Sequence, residues 1–228
     1  EILTLSPESV ESYDDDTLKL AIRFFPEMLK SMKTTSLLGL FWGFIPEMLM
    51  VLRGGLPKLI LLVEFAGDDE KEIDTKIKEL ERIVRPYNLK TRFARSEKES
   101  EKYWTVRRES FSLLRKHVHG KRTAPFVDDV VVEPKYLPEF LPKMREILDE
   151  YKLVYTIAGH AGNGNFHVIP LMDMKDKNNV NIITEVSDKI YDLVKQYHGS
   201  ITAEHNDGIV RTPYLGKMYT PRMLEIFQ

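Results

Sequence analysis

The chain has no cysteine among its 228 residues. That excludes disulfides, thiolate metal sites, iron–sulfur ligation and a cysteine nucleophile within this stretch. It fits a reducing compartment such as the cytoplasm. A surplus of either charge is also missing. The formal net charge is −2, so no strong field attracts nucleic acid or an anionic membrane. No glycine-rich phosphate loop follows a strand-like segment. No apolar run is long enough to span a bilayer: the best candidate, residues 37–52, is interrupted by Pro46 and Glu47. Such a segment suits a surface, which leaves a membrane-peripheral position or a partner-facing hairpin open. There is no initiator Met and no signal-peptide pattern, and both ends read as cuts within a longer chain.

What is present is an ordinary globular composition, 43% hydrophobic and 30% charged, long enough for one large domain or two small ones. Residues 1–57 read as a helical, apolar segment. In it Phe24-Phe25-Pro26-Glu27-Met28-Leu29 and Phe44-Ile45-Pro46-Glu47-Met48-Leu49 are near-copies, each with the Pro-Glu pair that suits a helix start. From residue 58 the periodicity is regular. Strands are predicted at 59–65, 90–94, 127–132, 153–158 and 165–171. Helices are predicted at 68–84, 98–116, 135–151 and 180–197, and a solvated loop at 175–179. Strands alternating with single helices, with one hairpin, predict an α+β domain over 58–228: an antiparallel sheet with helices on one face.

Three of the six histidines fall in two short segments, Gly159-His160-Ala161-Gly162-Asn163-Gly164-Asn165-Phe166-His167 and Ala203-Glu204-His205-Asn206-Asp207-Gly208. A hairpin through the glycine turn folds His160 and His167 toward each other. Two imidazoles and the Glu204 carboxylate form a common open ligand set for Zn²⁺ or a similar divalent ion. Neighbouring side chains diverge along a strand, so Glu204 and His205 are expected to do different jobs. Asn163 and Asn165 suit a turn as well as they suit a site. Asp128 and Asp129 are open between supporting a site histidine and holding a loop.

These segments resemble the two signature stretches of the C-terminal domain of FAD-linked oxidases, the flavoprotein group of glycolate oxidase, D-lactate dehydrogenase and D-2-hydroxyglutarate dehydrogenase. Tyr103-Trp104-Thr105-Val106-Arg107-Arg108 and Val127-Asp128-Asp129-Val130-Val131-Val132-Glu133-Pro134 are similar to two further segments of that family. The resemblance implies ferredoxin-like units and a preceding FAD-binding domain outside this chain. It implies oxidation of a small 2-hydroxy acid, D-lactate- or glycolate-like. His160, His167 and Glu204 are then the divalent-metal ligands and His205 is the base. Arg107 and Asn165 become substrate-contacting candidates, although Arg107 reads equally well as a solvated helix arginine. Arg122 is a weaker anion-binding candidate.

Several positions depart from the family pattern: Phe111, Val127, Asn163 and Asn206. They leave the ligand set intact and put the substrate pocket in doubt. The stretch from Glu204 to Leu215 looks closer to larger, multidomain dehydrogenases, which implies an iron–sulfur electron-transfer domain or subunit as a partner. A homo-oligomer through an uncovered face is a further expectation. Two other readings stay open: a metal-free flavoenzyme domain, and a non-catalytic ligand-binding or interaction module docking through the segment around Trp42.

Overall fold

The computed structural model describes residues 1–23, 45, 49, 51, 55–94, 96–97, 99–101, 103–108 and 121–227. The near-copied segments, apart from Ile45 and Leu49, lie outside the described residues, as do Trp42 and Phe111. The chain divides into two compact units, Glu1–Ser110 and Phe111–Gln228. No helix among the described residues is long and apolar enough to cross a membrane.

In the first unit, β1 (Ser9–Asp14) pairs antiparallel with β2 (Leu59–Glu64), Ser9 opposite Glu64 and Asp14 opposite Leu59. Within the segment expected to be helical, Ser9–Asp14 are therefore strand, while Asp15–Arg23 are helix. Glu11, Ser12 and Asp14 are buried beside Val10 and Tyr13, so polar residues hide the period-two alternation that marks a strand. The β1–β2 ladder also crosses position 57, and the compact unit therefore extends through it. Strand β1 runs directly into α1 (Asp15–Arg23), whose Thr17 amide donates to Asp14 Oδ1 at 2.9 Å. Helix α2 (Glu70–Val84) starts at Asp69, whose side chain accepts from the Lys71 amide, an N-terminal cap. Residues 90–94 form no strand; Arg92 instead reaches Glu99 at 2.9 Å. Residues 103–108 are helical.

The second unit is built on a hairpin. Strands β5 (Val154–His160) and β6 (Asn165–Met172) pair antiparallel, with His160 opposite Asn165 and Ala158 opposite His167. Along the edge of β6 lie two short strands, β3 (Arg122–Thr123) and β4 (Val130–Val131). A single antiparallel bridge then joins Val131 to Ser200. Helix α3 (Leu137–Glu150) follows β4, and α4 (Asn178–Gln196) follows β6. Taken in sequence, β4-α3-β5-β6-α4-Ser200 is a βαββαβ order. The spatial order Ser200-β4-β6-β5 completes a ferredoxin-like unit whose last strand is reduced to one bridge.

Helical spacing buries Phe140, Met144 and Leu148 on α3, and Val186, Ile190 and Val194 on α4. They pack with Tyr155, Ile157, Phe166 and Val168 of the hairpin in one apolar cluster. Alternation along β5 leaves Thr156, Ala158 and His160 on the opposite, less buried face. His167, opposite Ala158, shares that face. The hairpin thus turns one side to the core and carries both imidazoles on the other.

Candidate metal centre

The strand expected at 127–132 shortens to Val130–Val131, and the interruption falls at the site. Asp129 has φ +66°, a left-handed conformation that Asp tolerates better than most residues. Around it, two consecutive carboxylates take different directions. Asp128 Oδ1 is 3.0 Å from Nδ1 of His167. Asp129, wholly buried, turns toward the second histidine segment.

Between β5 and β6 the chain makes a tight turn. The Asn163 amide donates to His160 O at 2.9 Å, the Gly164 amide to Ala161 O at 3.2 Å, and Val132 N–H to Gly164 O at 3.0 Å. Gly164 has φ +73°, and a Cβ there would lie 1.7 Å from Val132 O. Only glycine fits that approach. The turn presents His160 and His167 as diagonal neighbours with ring centroids 5.6 Å apart.

The Glu204-His205 segment meets them. Glu204 Oε1 lies 2.8 Å from His167 Nε2, 3.2 Å from His160 Nε2 and 3.6 Å from His205 Nε2. All three ligands expected from sequence therefore converge at one carboxylate oxygen, with His205 next to them. His167 is the most buried of the three imidazoles, and His205 the most exposed at 58% of its side chain.

Hydrogen bonding fixes the chemistry of His167. An ionised Asp128 only accepts, so His167 Nδ1 carries the proton and Nε2 turns its remaining valence toward Glu204. A 2.8 Å contact between a lone pair and a carboxylate oxygen is repulsive. It is relieved if the ring is an imidazolium or if a cation is held by both groups. Burial lowers the His167 pKa, but the hydrogen bond and charge of Asp128, with the charges of Glu204 and Asp129, outweigh burial and raise it. Ligand atoms of His167, Glu204, His205 and Asp129 lie within 4.8 Å of one another, and His160 Nε2 stands 3.2 Å from Glu204 Oε1; with a carboxylate behind a ring nitrogen, this donor set suits a divalent metal.

Asp129 also brings a carboxylate oxygen within 4.8 Å of ligand atoms of His167, Glu204 and His205. It is not a ligand, because its lone pairs are already used. Its Oδ1 accepts from Asn165 Nδ2 at 3.0 Å and from the Glu204 amide at 3.1 Å. Its Oδ2 accepts from the Ala203 and His205 amides, both at 3.0 Å, and from Arg211 Nη1 at 3.1 Å. Burial opposes ionisation here, yet the three backbone amides and Asn165 hold the Asp129 carboxyl far below the usual carboxylate range.

The other expected residues have different surroundings. Asn165 is 4% exposed. It spends its amide hydrogens on Asp129 and on Val130 O at 3.3 Å, and its buried Oδ1 has no hydrogen-bond partner among the described residues. Arg107 lies in the first unit, 2.5 Å from Glu11 Oε2. A substrate carboxylate would have to compete with that pairing. Arg122 sits in β3. Sequence reasoning did not single out Arg211, a buried arginine at the end of the short helix α5 (Gly208–Arg211). A lone arginine after Gly-Ile-Val carries no signal of burial.

Comparison with known proteins gives a consistent picture. The family described as FAD linked oxidases, C-terminal domain, matches residues 4–228. A D-2-hydroxyglutarate dehydrogenase of Pseudomonas putida is 33% identical over 168 residues, 70% of this chain and 17% of that protein. One from Haemophilus influenzae is 29% identical over 169 residues, covering 71% and 16%. The mitochondrial D-lactate dehydrogenase (cytochrome) of Kluyveromyces lactis is 28% identical over 163 residues, covering 68% and 27%. The chain therefore spans about a sixth of the length of the first two. Among solved structures, the 4-ethylphenol oxidase of Gulosibacter chungangensis superposes with a TM-score of 0.51 at 12% identity, over 86% of this chain and 39% of that one; this likeness is one of fold.

Proposed function

Because the chain belongs to the FAD linked oxidases, C-terminal domain family, we propose that it is the substrate domain of an FAD-dependent dehydrogenase that converts a 2-hydroxy acid to the 2-oxo acid. The observation that carries this reading is the convergence of His160, His167 and His205 Nε2 on Glu204 Oε1. His160, His167 and Glu204 hold a divalent metal, and His205 is the base. FAD is bound by polypeptide outside this chain, as the length of the relatives suggests.

When bound, the metal supplies a positive centre that lowers the pKa of a substrate hydroxyl and fixes its pose, and the flavin accepts the hydride. The chain's own residues do the rest. Asp128 holds the His167 proton on Nδ1 and so directs Nε2 into the site. His205 is solvent-accessible and adjacent. Its imidazole takes the hydroxyl proton as the carbon-bound hydrogen leaves with its electron pair. Electrons and protons balance: two electrons and one proton leave as hydride, and one proton stays on His205 before passing to solvent.

The test uses the protein joined to its flavin-binding portion. His160→Ala should abolish dye-linked oxidation of D-2-hydroxy acids and reduce metal content. Unchanged turnover with unchanged metal would refute the assignment. A second reading, a metal-free site in which His167 is an imidazolium clamped between Asp128 and Glu204, is favoured by the 2.8 Å contact. Elemental analysis of the holoenzyme separates the two. An iron–sulfur partner as electron acceptor is part of the proposal and is tested by co-purification with reduction of the cluster on adding substrate.

A further inference from the structure

We propose that Asp129, backed by Arg211, is the positioning residue that sets where Glu204 and His205 stand over the imidazole pair. The inference rests on the reading of His160, His167 and Glu204 as metal ligands.

Residues 202–207 form neither helix nor strand. Backbone amides in such a stretch need acceptors from elsewhere when they turn away from water. Three consecutive ones, on Ala203, Glu204 and His205, all turn onto the Asp129 carboxylate. Successive N–H groups around one anion form a concave nest that fixes the local backbone. Here the anion belongs to the protein itself. The amides it holds are those of the ligand Glu204 and of the base His205, together with the residue before them. The same carboxylate takes Nδ2 of Asn165, which is opposite His160 in the ladder and two residues before His167. One buried group therefore ties the loop to the hairpin that bears the other ligands.

Arg211 completes the device. Its side chain is 8% exposed. Nη1 donates to Asp129 Oδ2, to Asp128 O at 2.9 Å and to Ile201 O at 3.3 Å, and Nη2 donates to Asn206 O. The guanidinium thus grips the loop on both sides of Glu204-His205 while neutralising the buried carboxylate. Thr202 adds a closure, its hydroxyl donating to His205 O at 2.5 Å. A buried carboxylate that accepts from three backbone amides, Asn165 and a matched cation is held rigidly, because loss of either partner leaves a charge unpaired in the interior.

The test has two readouts besides turnover: amide hydrogen exchange of residues 203–205, and binding of Zn²⁺ alone by calorimetry. In the unaltered protein those amides should exchange well below the free-peptide rate despite lying in an irregular loop. Exchange at the free-peptide rate would sink the proposal without any variant. In Asp129→Asn an NH₂ group faces amides that need an acceptor. The expected result is loss of protection at 203–205 and about a 10- to 100-fold fall in zinc affinity, with β5 and β6 amides unchanged. Should that variant not fold, Arg211→Lys, which keeps the charge and loses the fork, decides by the same readouts. Protection and affinity equal to those of the unaltered protein would overturn the proposal. Glu204→Gln is the control that separates the two readings: it should lose zinc while keeping 203–205 protected. If the unaltered protein takes up no zinc, the metal reading fails and the exchange results still decide the anchoring.

Discussion

Replacing Gly164 by alanine should destabilise the protein through two separable effects. The first is the backbone: φ is +73°, and a residue with a Cβ in the left-handed region costs about 1–2 kcal/mol. The second is overlap. The added carbon would sit 1.7 Å from Val132 O, where contacts below 3.0 Å are essentially never found. Relief requires more than an ångström of movement, because the obstacle is backbone, and overpacking of this kind costs about 1–3 kcal/mol. The Val132 N–H to Gly164 O bond at 3.0 Å is strained by the same movement and is worth about 1 kcal/mol. Together the terms reach about 4 kcal/mol, which lowers the melting temperature by roughly 10 °C for a chain of this size. Two further glycines separate the terms. Gly55 has φ +72° with nothing within 4 Å of a Cβ, so Gly55→Ala should lose only the backbone term, about 1–2 kcal/mol. Gly216 has ordinary φ and a nearest neighbour at 3.9 Å, so Gly216→Ala should lie within about 0.5 kcal/mol of wild type. The assay is urea unfolding followed by circular dichroism. A Gly164→Ala protein as stable as Gly216→Ala would refute the argument, and so would Gly55→Ala matching Gly164→Ala.

Zinc uptake should release a proton, because the raised pKa of His167 keeps a fraction of the metal-free ring protonated near neutral pH and the ligating form is neutral. Calorimetry in buffers of different ionisation enthalpy measures this, and identical heats would contradict it. In the metal-free protein the same elevated pKa stabilises the fold below the unfolded His value of about 6.5. That contribution is lost as pH rises through the folded pKa, and His167→Asn should remove the trend in urea midpoints. His205→Asn should keep its zinc and lose at least about 100-fold in turnover of the flavin-joined enzyme; parallel loss of metal would make His205 a ligand instead. Burial and the hydrogen bond to Asp149 push the Tyr155 phenol up to about 12. The unfolded chain sheds that proton first, so stability should fall as pH climbs from about 10 toward 12, and Tyr155→Phe should flatten the decline.

The hairpin and its two histidines were legible because local pattern and tertiary outcome agree there: apolar strands, a glycine-asparagine turn and one-face imidazoles. Helices α2, α3 and α4 were legible for the same reason. Strand β1 was not, since Glu11, Ser12 and Asp14 are buried polar residues and the strand that pairs with them begins only at Leu59. The 127–132 strand was overestimated because its aspartates leave the ladder, Asp128 toward His167 and Asp129 toward the amides of residues 203–205. Asp128 and Asp129 were each open between two roles; Asp128 supports a histidine and Asp129 holds a loop. The reach of Arg211 to both flanks of the Glu204-His205 dipeptide had no sequence signal, as it depends on a chain fold rather than on spacing.

His160 and His167 sit diagonally across a ladder, not opposite each other, and Ala158 fills the place facing His167. Their spacing is therefore quantised by the pleat. A single inserted or deleted residue in either strand would carry an imidazole into the apolar interior and deliver a core side chain to solvent. Any redesign of the proposed metal site should leave the hairpin untouched and look for adjustment in the arm that carries the carboxylate.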